Sequence, residues 1–214
     1  MCVLVYTGME FIFIIAILLM SVVIHEVAHG YGALALGDPT AKLQGRLTLN
    51  PLKHIDIFGS IIVPTLFYLL GGFLIGWAKP VEYNPYNFKR LHKWGDAIVA
   101  VVGPLTNIVI ALIFGFLIRF EGMWFNLSSS FIEIASFVVF INIVLACFNL
   151  IPIPPLDGSK ILFTILPRRW SFVRTFLERH SLIFVFIFIL FLWQFFVPVV
   201  MGIFRLITGI TLVV

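Results

Sequence analysis

The chain has 214 residues, of which 61% are hydrophobic and only 11% charged, and its mean hydropathy is +1.12. A soluble domain carries about 25% charged residues, and a core of this size cannot hide the apolar excess. An ordinary soluble protein is therefore excluded, and an integral, multi-pass membrane protein in contact with the lipid bilayer is expected. The net charge of +4 resides in short basic clusters between apolar stretches, where Lys and Arg meet anionic lipid; no nucleic-acid partner is expected.

A membrane span needs ~20 mostly apolar residues. The stretches 10–34, 57–76, 97–119, 131–151 and 182–204 approach this length, the last extending toward Val214. The first has no basic region before it and contains His and Glu, so it reads as a retained helix and not a cleaved signal peptide. The second contains Pro64, then Gly71, Gly72 and Gly76, which suits a re-entrant hairpin as well as a true span. After it, 77–84 reads as extended chain, because Pro80 and Pro85 push their predecessors out of helical geometry. Both 37–56 and 77–96 are basic, so charge leaves the orientation open. Arg168, Arg169 and Trp170 form an expected interfacial anchor. The expected fold is an all-α polytopic bundle of five to six transmembrane helices. It forms one membrane-embedded domain over 1–214, with a core at 10–166 and a C-terminal hydrophobic segment at 182–214.

The first apolar stretch contains His25-Glu26-Val27-Ala28-His29. Positions i and i+4 share a helix face, so both imidazoles can reach one metal ion. Glu26 flanks that face, where its carboxylate can take the proton of a water that the metal acidifies. Two histidines and a carboxylate at membrane depth, without Lys or Arg nearby, need a cation to offset the charge. A catalytic zinc takes three protein ligands and keeps one position for water. The best candidate for the third ligand is Asp157, in Asn149-Leu-Ile-Pro-Ile-Pro-Pro-Leu-Asp157-Gly158. Its prolines are expected to hold this stretch extended, and Gly158 to permit a tight turn. Asp157 also suits the N-cap of a following helix.

These motifs resemble the site-2 protease family of intramembrane metalloproteases, peptidase group M50. HEVAH in a transmembrane helix and NLIPIPPLDG far along the chain carry the resemblance, with Gly103-Pro-Leu-Thr-Asn107 as a further shared feature. The resemblance implies one Zn2+ ion held by His25, His29 and Asp157, with Glu26 as general base. It also implies a substrate-binding or oxyanion role near the site for Asn149, and by its setting for Asn107. The substrate implied is a transmembrane or membrane-adjacent segment of another protein. Such a helix must unwind or add as a strand to an exposed edge, for which 77–84 is the expected candidate. One departure is the stretch 57–76, which looks like an addition relative to smaller relatives. If it crossed fully, Leu150 would end far from His29. Either 57–76 is re-entrant, or 149–157 runs ~26 Å back into the membrane.

Other readings use the same residues. A transporter or metal-handling protein could use the His/Glu/Asp cluster as a transit site, and a catalytically inactive relative would keep the cluster without the activity. Haem is disfavoured, because ligands four residues apart on one helix cannot take opposite axial positions. His54, His92 and His180 lie in polar connections and are expected at the surface, His54 being the one nearest the metal helix in sequence. Cys2 and Cys147 are too few for a disulfide framework or a thiolate site, and Cys147 is expected to pack. Asn142 is expected to hydrogen-bond between helices.

Overall fold

A computed structural model describes residues 8–56, 62, 79–89, 91 and 93–210. Described helices are α1 (Gly8–Leu36), α2 (Thr40–Leu43), α3 (Gly95–Arg119), α4 (Ser129–Asn149), α5 (Asp157–Ile165), α6 (Ser171–Arg179) and α7 (Ser181–Thr208). The last runs through a π turn at Phe188–Leu192. Among the described residues there is no strand, only an isolated bridge between Glu121 and Phe125. Among these residues the all-α expectation is met.

Four helices are long and apolar enough to cross a membrane: α1 (from Ile12), α3, α4 and α7. Only 11–39% of the most apolar window of each is buried within the protein. Their remaining side chains, such as Ile12, Leu112, Ile113, Leu190 and Phe195, suit a hydrocarbon solvent and not water. The expected count of five to six rests on 57–76, which lies outside the described residues apart from Ile62.

The bundle is organised around α3, which packs against α1, α4, α5 and α7. Small residues along it, Ala97, Ala100, Gly103, Asn107, Ala111 and Gly115, are buried, and they let neighbouring backbones approach, as helix contacts in lipid require. At one end Ala111, Ile118, Ala135, Val139, Ile143, Val200 and Phe204 form a continuous apolar core between α3, α4 and α7.

Chain direction follows from a few hydrogen bonds. The Lys89 N–H donates to the Leu36 carbonyl, so the chain returns to the C-terminal end of α1 before α3 begins. α3 therefore runs antiparallel to α1, and α4 comes back toward the end of α1 that carries His29. This removes the separation that the sequence alone left between Leu150 and His29.

The NLIPIPPLDG stretch corrects an expectation. It is not an extended run: Ile151, Ile153 and Leu156 donate to the carbonyls of Phe148, Ile151 and Ile153, making successive turns. Gly158 is required for close approach and not for an unusual φ. A Cβ there would collide with the Leu150 carbonyl oxygen and lie 2.5 Å from that of Ile151. The loop thus folds back on the end of α4 and starts α5 beside it.

Candidate metal centre

His25 and His29 lie one turn apart on α1, facing α3, and both are buried. The Nδ1–H of His29 donates to the Val99 carbonyl of α3 at 2.7 Å. A carbonyl only accepts, so Nδ1 carries a proton and Nε2 is the nitrogen turned toward His25 and Asp157. His25 Nδ1 faces Asn107 Oδ1 at 2.5 Å. The two Nε2 atoms are 3.0 Å apart, and Asp157 Oδ2 lies 3.1 Å from one and 2.9 Å from the other.

These three donor atoms make a nearly equilateral triangle. Zinc with bonds of ~2.0–2.1 Å has tetrahedral edges of ~3.3–3.4 Å, so the triangle is slightly tighter than one tetrahedral face. Two imidazole nitrogens without protons and a carboxylate oxygen at this spacing would repel one another unless a cation lay between them. The donor set, two nitrogens and one oxygen from His, His and Asp, fits zinc and leaves a fourth position for a non-protein ligand. Among the described residues, His25, His29 and Asp157 form the one group of three or more such side chains suited to a metal ion.

The surroundings explain why this cluster can form. Gly103 of α3 lies against both rings: a Cβ there would sit 2.5 Å from His29 Cε1 and Nε2 and 2.7 Å from His25 Cε1. Pro104, one residue on, removes the N–H that would bond the Ala100 carbonyl and loosens the same turn. Asp157 is the first residue of α5, with Leu156 at the N-cap and no side-chain cap. Its carboxylate does not cap the helix; Oδ2 faces the histidines and Oδ1 accepts from Lys160 Nζ at 3.2 Å.

Glu26 is outside the triangle but beside it. Its Oε2 accepts the Val81 N–H at 2.8 Å. The segment 79–84 is non-helical, as expected of the described part of 77–84. It is tied down at several points: Lys79 N–H donates to the His54 carbonyl, Arg46 to the Pro80 carbonyl and Gln44 to Glu82.

The strongest tie is Asp38, wholly buried just after α1. It accepts from Asn84 N–H at 2.7 Å, from Asn87 Nδ2 at 2.8 Å and from Thr40. Burial by itself would raise the Asp38 carboxyl, but the donors on Asn87, Thr40 and Asn84 outweigh it and hold it below its usual range. A carboxyl held low in the folded state contributes stability above its unfolded value and loses it only as pH falls through the folded one. The Asn84 amide is therefore expected to stay protected from hydrogen exchange at pH ~5 and to lose protection only below ~4. In Asp38→Ala it should exchange freely at both.

The remaining expected residues are distributed unevenly. Asn107 is fully buried, with Oδ1 on His25 and Nδ2 donating to Asn142 Oδ1 at 2.7 Å. Asn142, as expected, bonds between helices. Asn149 donates to the Leu145 carbonyl within α4. His54 corrects the surface expectation: it is 1% exposed, bonded to the Thr48 carbonyl, and is not among the clustered donors. His180 is half-buried and bonds the Phe176 carbonyl; His92 lies outside the described residues. Sequence reasoning missed Asp38, Lys160 and Val81. A lone Asp in a Gly-Asp-Pro turn carries no signal of what it will anchor, and Val81 acts through its backbone.

Helices apolar enough to cross a membrane, with a buried cluster that joins both histidines of HEVAH to Asp157, define the class of membrane metalloproteases. The sequence pattern of peptidase family M50 matches residues 13–124 and 125–192, and the chain belongs to this family, a family of zinc metalloproteases. YwhC of Bacillus subtilis is 39% identical over 160 residues, covering 72% of this chain and 69% of its own length. Rip2 of Mycolicibacterium smegmatis is 35% identical over 153 residues, 72% of this chain and 56% of its own. Both bear names that mark them as candidate zinc metalloproteases. The zinc metalloprotease MJ0392 of Methanocaldococcus jannaschii is 23% identical over 159 residues, and the chain spans 36% of its length. No solved structure matches the chain.

Proposed function

We propose that this zinc metalloprotease is a multi-pass membrane enzyme that hydrolyses peptide bonds in transmembrane or membrane-adjacent segments of other proteins. The observation that carries the reading is the triangle of His25 Nε2, His29 Nε2 and Asp157 Oδ2, with sides of 2.9–3.1 Å, whose two histidines stand on α1, a helix long and apolar enough to cross a membrane. His25, His29 and Asp157 hold the zinc. Bound there, zinc acidifies a water and polarises the scissile carbonyl.

Glu26 is the general base. The Val81 N–H holds one of its oxygens, which orients the carboxylate and leaves the other free to take a proton and pass it to the leaving amine. The same bond brings 79–84 to the catalytic carboxylate. A substrate unwound into an extended strand pairs with the backbone of 79–84 and so lies across the site. Asn149, at the end of α4, contacts the substrate from the other side; Asn107 acts on His25 and not on the substrate.

The described residues on either side of 57–76 lie close together: the Lys79 N–H donates to the His54 carbonyl at 2.8 Å.

The test is the zinc content and cleavage activity of wild type beside Asp157→Ala. Removing one of three protein ligands is expected to lower zinc affinity by at least ~100-fold and to abolish cleavage. Full zinc occupancy in Asp157→Ala would remove Asp157 from the ligand set.

A further inference from the structure

The bonds around His25 continue beyond Asn107. Asn107 Nδ2 donates to Asn142 Oδ1 at 2.7 Å. Asn142 Nδ2 in turn donates to the Val138 carbonyl at 2.8 Å and to Ser21 Oγ at 2.9 Å. The path runs from α1 to α3 to α4 and back to α1. Ser21, His25, Asn107 and Asn142 are all buried, the two amides completely. No water from the hydrocarbon region can replace a missing partner here, so every end of each amide must find one in the protein.

The two ends of an amide have almost the same shape, and its direction is decided by whichever partner cannot reverse. Ser21 can donate or accept, and Asn107 can turn around. The Val138 carbonyl can only accept. It therefore holds the NH2 of Asn142 toward itself and turns Oδ1 toward α3. That oxygen requires the NH2 of Asn107, which leaves Asn107 Oδ1 facing His25. An oxygen in that place requires the proton on Nδ1, and Nε2 is left for the metal.

We infer that Asn142 is a positioning residue for zinc: with Asn107 it carries the polarity of the Val138 carbonyl across three helices to His25. This rests on His25 being a zinc ligand, as proposed above. Both histidines are then set by backbone carbonyls. Val99 acts on His29 directly, and Val138 acts on His25 through two amides.

Three variants separate this polarity relay from mere helix packing. Asn142→Leu has the same branching but no polar ends, so Asn107 loses the partner that fixes its direction. Asn142→Asp still accepts from Asn107, whether or not it is protonated. Ser21→Ala removes a partner that does not set direction. The full-length protein in detergent is titrated with zinc against a competing chelator. The Nδ1–H resonance of His25 is followed in the zinc-loaded form by 15N-histidine labelling.

Asn142→Leu is expected to bind zinc ~10–100-fold more weakly, with the His25 Nδ1–H signal lost to exchange or shifted upfield. Asn142→Asp and Ser21→Ala are expected to keep both the affinity and the signal. Where Asn142→Leu does not fold, the other two decide: loss of affinity in either overturns the inference. Unchanged zinc binding in a folded Asn142→Leu overturns it as well, while leaving the proposed ligands standing. A wild type that binds no zinc through His25 overturns both.

Discussion

Glu26→Gln is expected to keep its zinc and to lose cleavage by ~10²–10⁴-fold, the usual contribution of a positioned general base. Glu26 is not part of the donor triangle, so the amide leaves His25, His29 and Asp157 in place. Gln matches Glu in length, and its side-chain oxygen can still accept the Val81 N–H, which is 2.8 Å from Glu26 Oε2. The variant therefore retains the tie to 79–84 and lacks only the basic oxygen. Zinc stoichiometry and cleavage measured on the same preparation check this. A protein using the cluster for metal transit would instead keep its function in Glu26→Gln. Undiminished cleavage in a zinc-loaded sample would remove Glu26 from the base role.

Gly103→Ala is expected to have a comparable effect by a different route. The added methyl would lie 2.5–2.7 Å from ring atoms of both histidines. Neither ring can simply turn away. His29 is bonded to Val99 and His25 to Asn107, and both bonds come from α3, the helix that carries the methyl. Relief requires α1 and α3 to separate, which lengthens both hydrogen bonds and pulls the imidazoles from Asp157. Zinc affinity should fall by at least the ~10–100-fold typical of disturbed outer-shell contacts, with cleavage falling in step. Gly32→Ala makes a useful control on the same pair of helices. Its Cβ would meet Val102 at 3.4 Å, an ordinary contact. Wild-type zinc affinity in Gly103→Ala would mean that the α1–α3 contact is more compliant than its hydrogen bonds imply.

The two outcomes read differently. Glu26→Gln separates chemistry from metal binding, whereas Gly103→Ala removes both through a residue with no functional group. A glycine in an apolar helix looks like generic small-residue packing. Its proximity to two imidazoles emerges only once α1 and α3 are side by side.

Much of the protein was legible in the order of its residues. Lipid-length apolar runs, the four-residue spacing of His25 and His29, and the aspartate after a proline-rich stretch all depend on local sequence. Period and length report the first two, and the NLIPIPPLDG motif points to the third. The helical class and four of the spans could be written down from that information, and the HEVAH and NLIPIPPLDG motifs pointed to the three side chains that the structure clusters.

Other features could not. Whether Asp157 reaches the histidines depends on which end of α1 the chain returns to, and that is decided by bonds between Leu36 and Lys89 and between Asp38 and Asn84, residues 53 and 46 positions apart. The NLIPIPPLDG stretch was expected to be extended because proline disfavours helix. Instead it turns back, because Gly158 allows α5 to start against the carbonyls of Leu150 and Ile151. His54 was expected at the surface and is buried, since a polar connection in sequence becomes interior when the chain folds over it. Asn107 and Asn142 each looked like an isolated polar residue in an apolar helix, and their joint direction exists only in the assembled bundle. The sequence by itself determined which side chains could bind a metal and that two of them stand in a helix apolar enough to cross a membrane. Only the tertiary structure decided their common depth, their orientation and their hydrogen-bond polarity. Those properties depend on contacts between residues far apart in the chain, which no local pattern encodes.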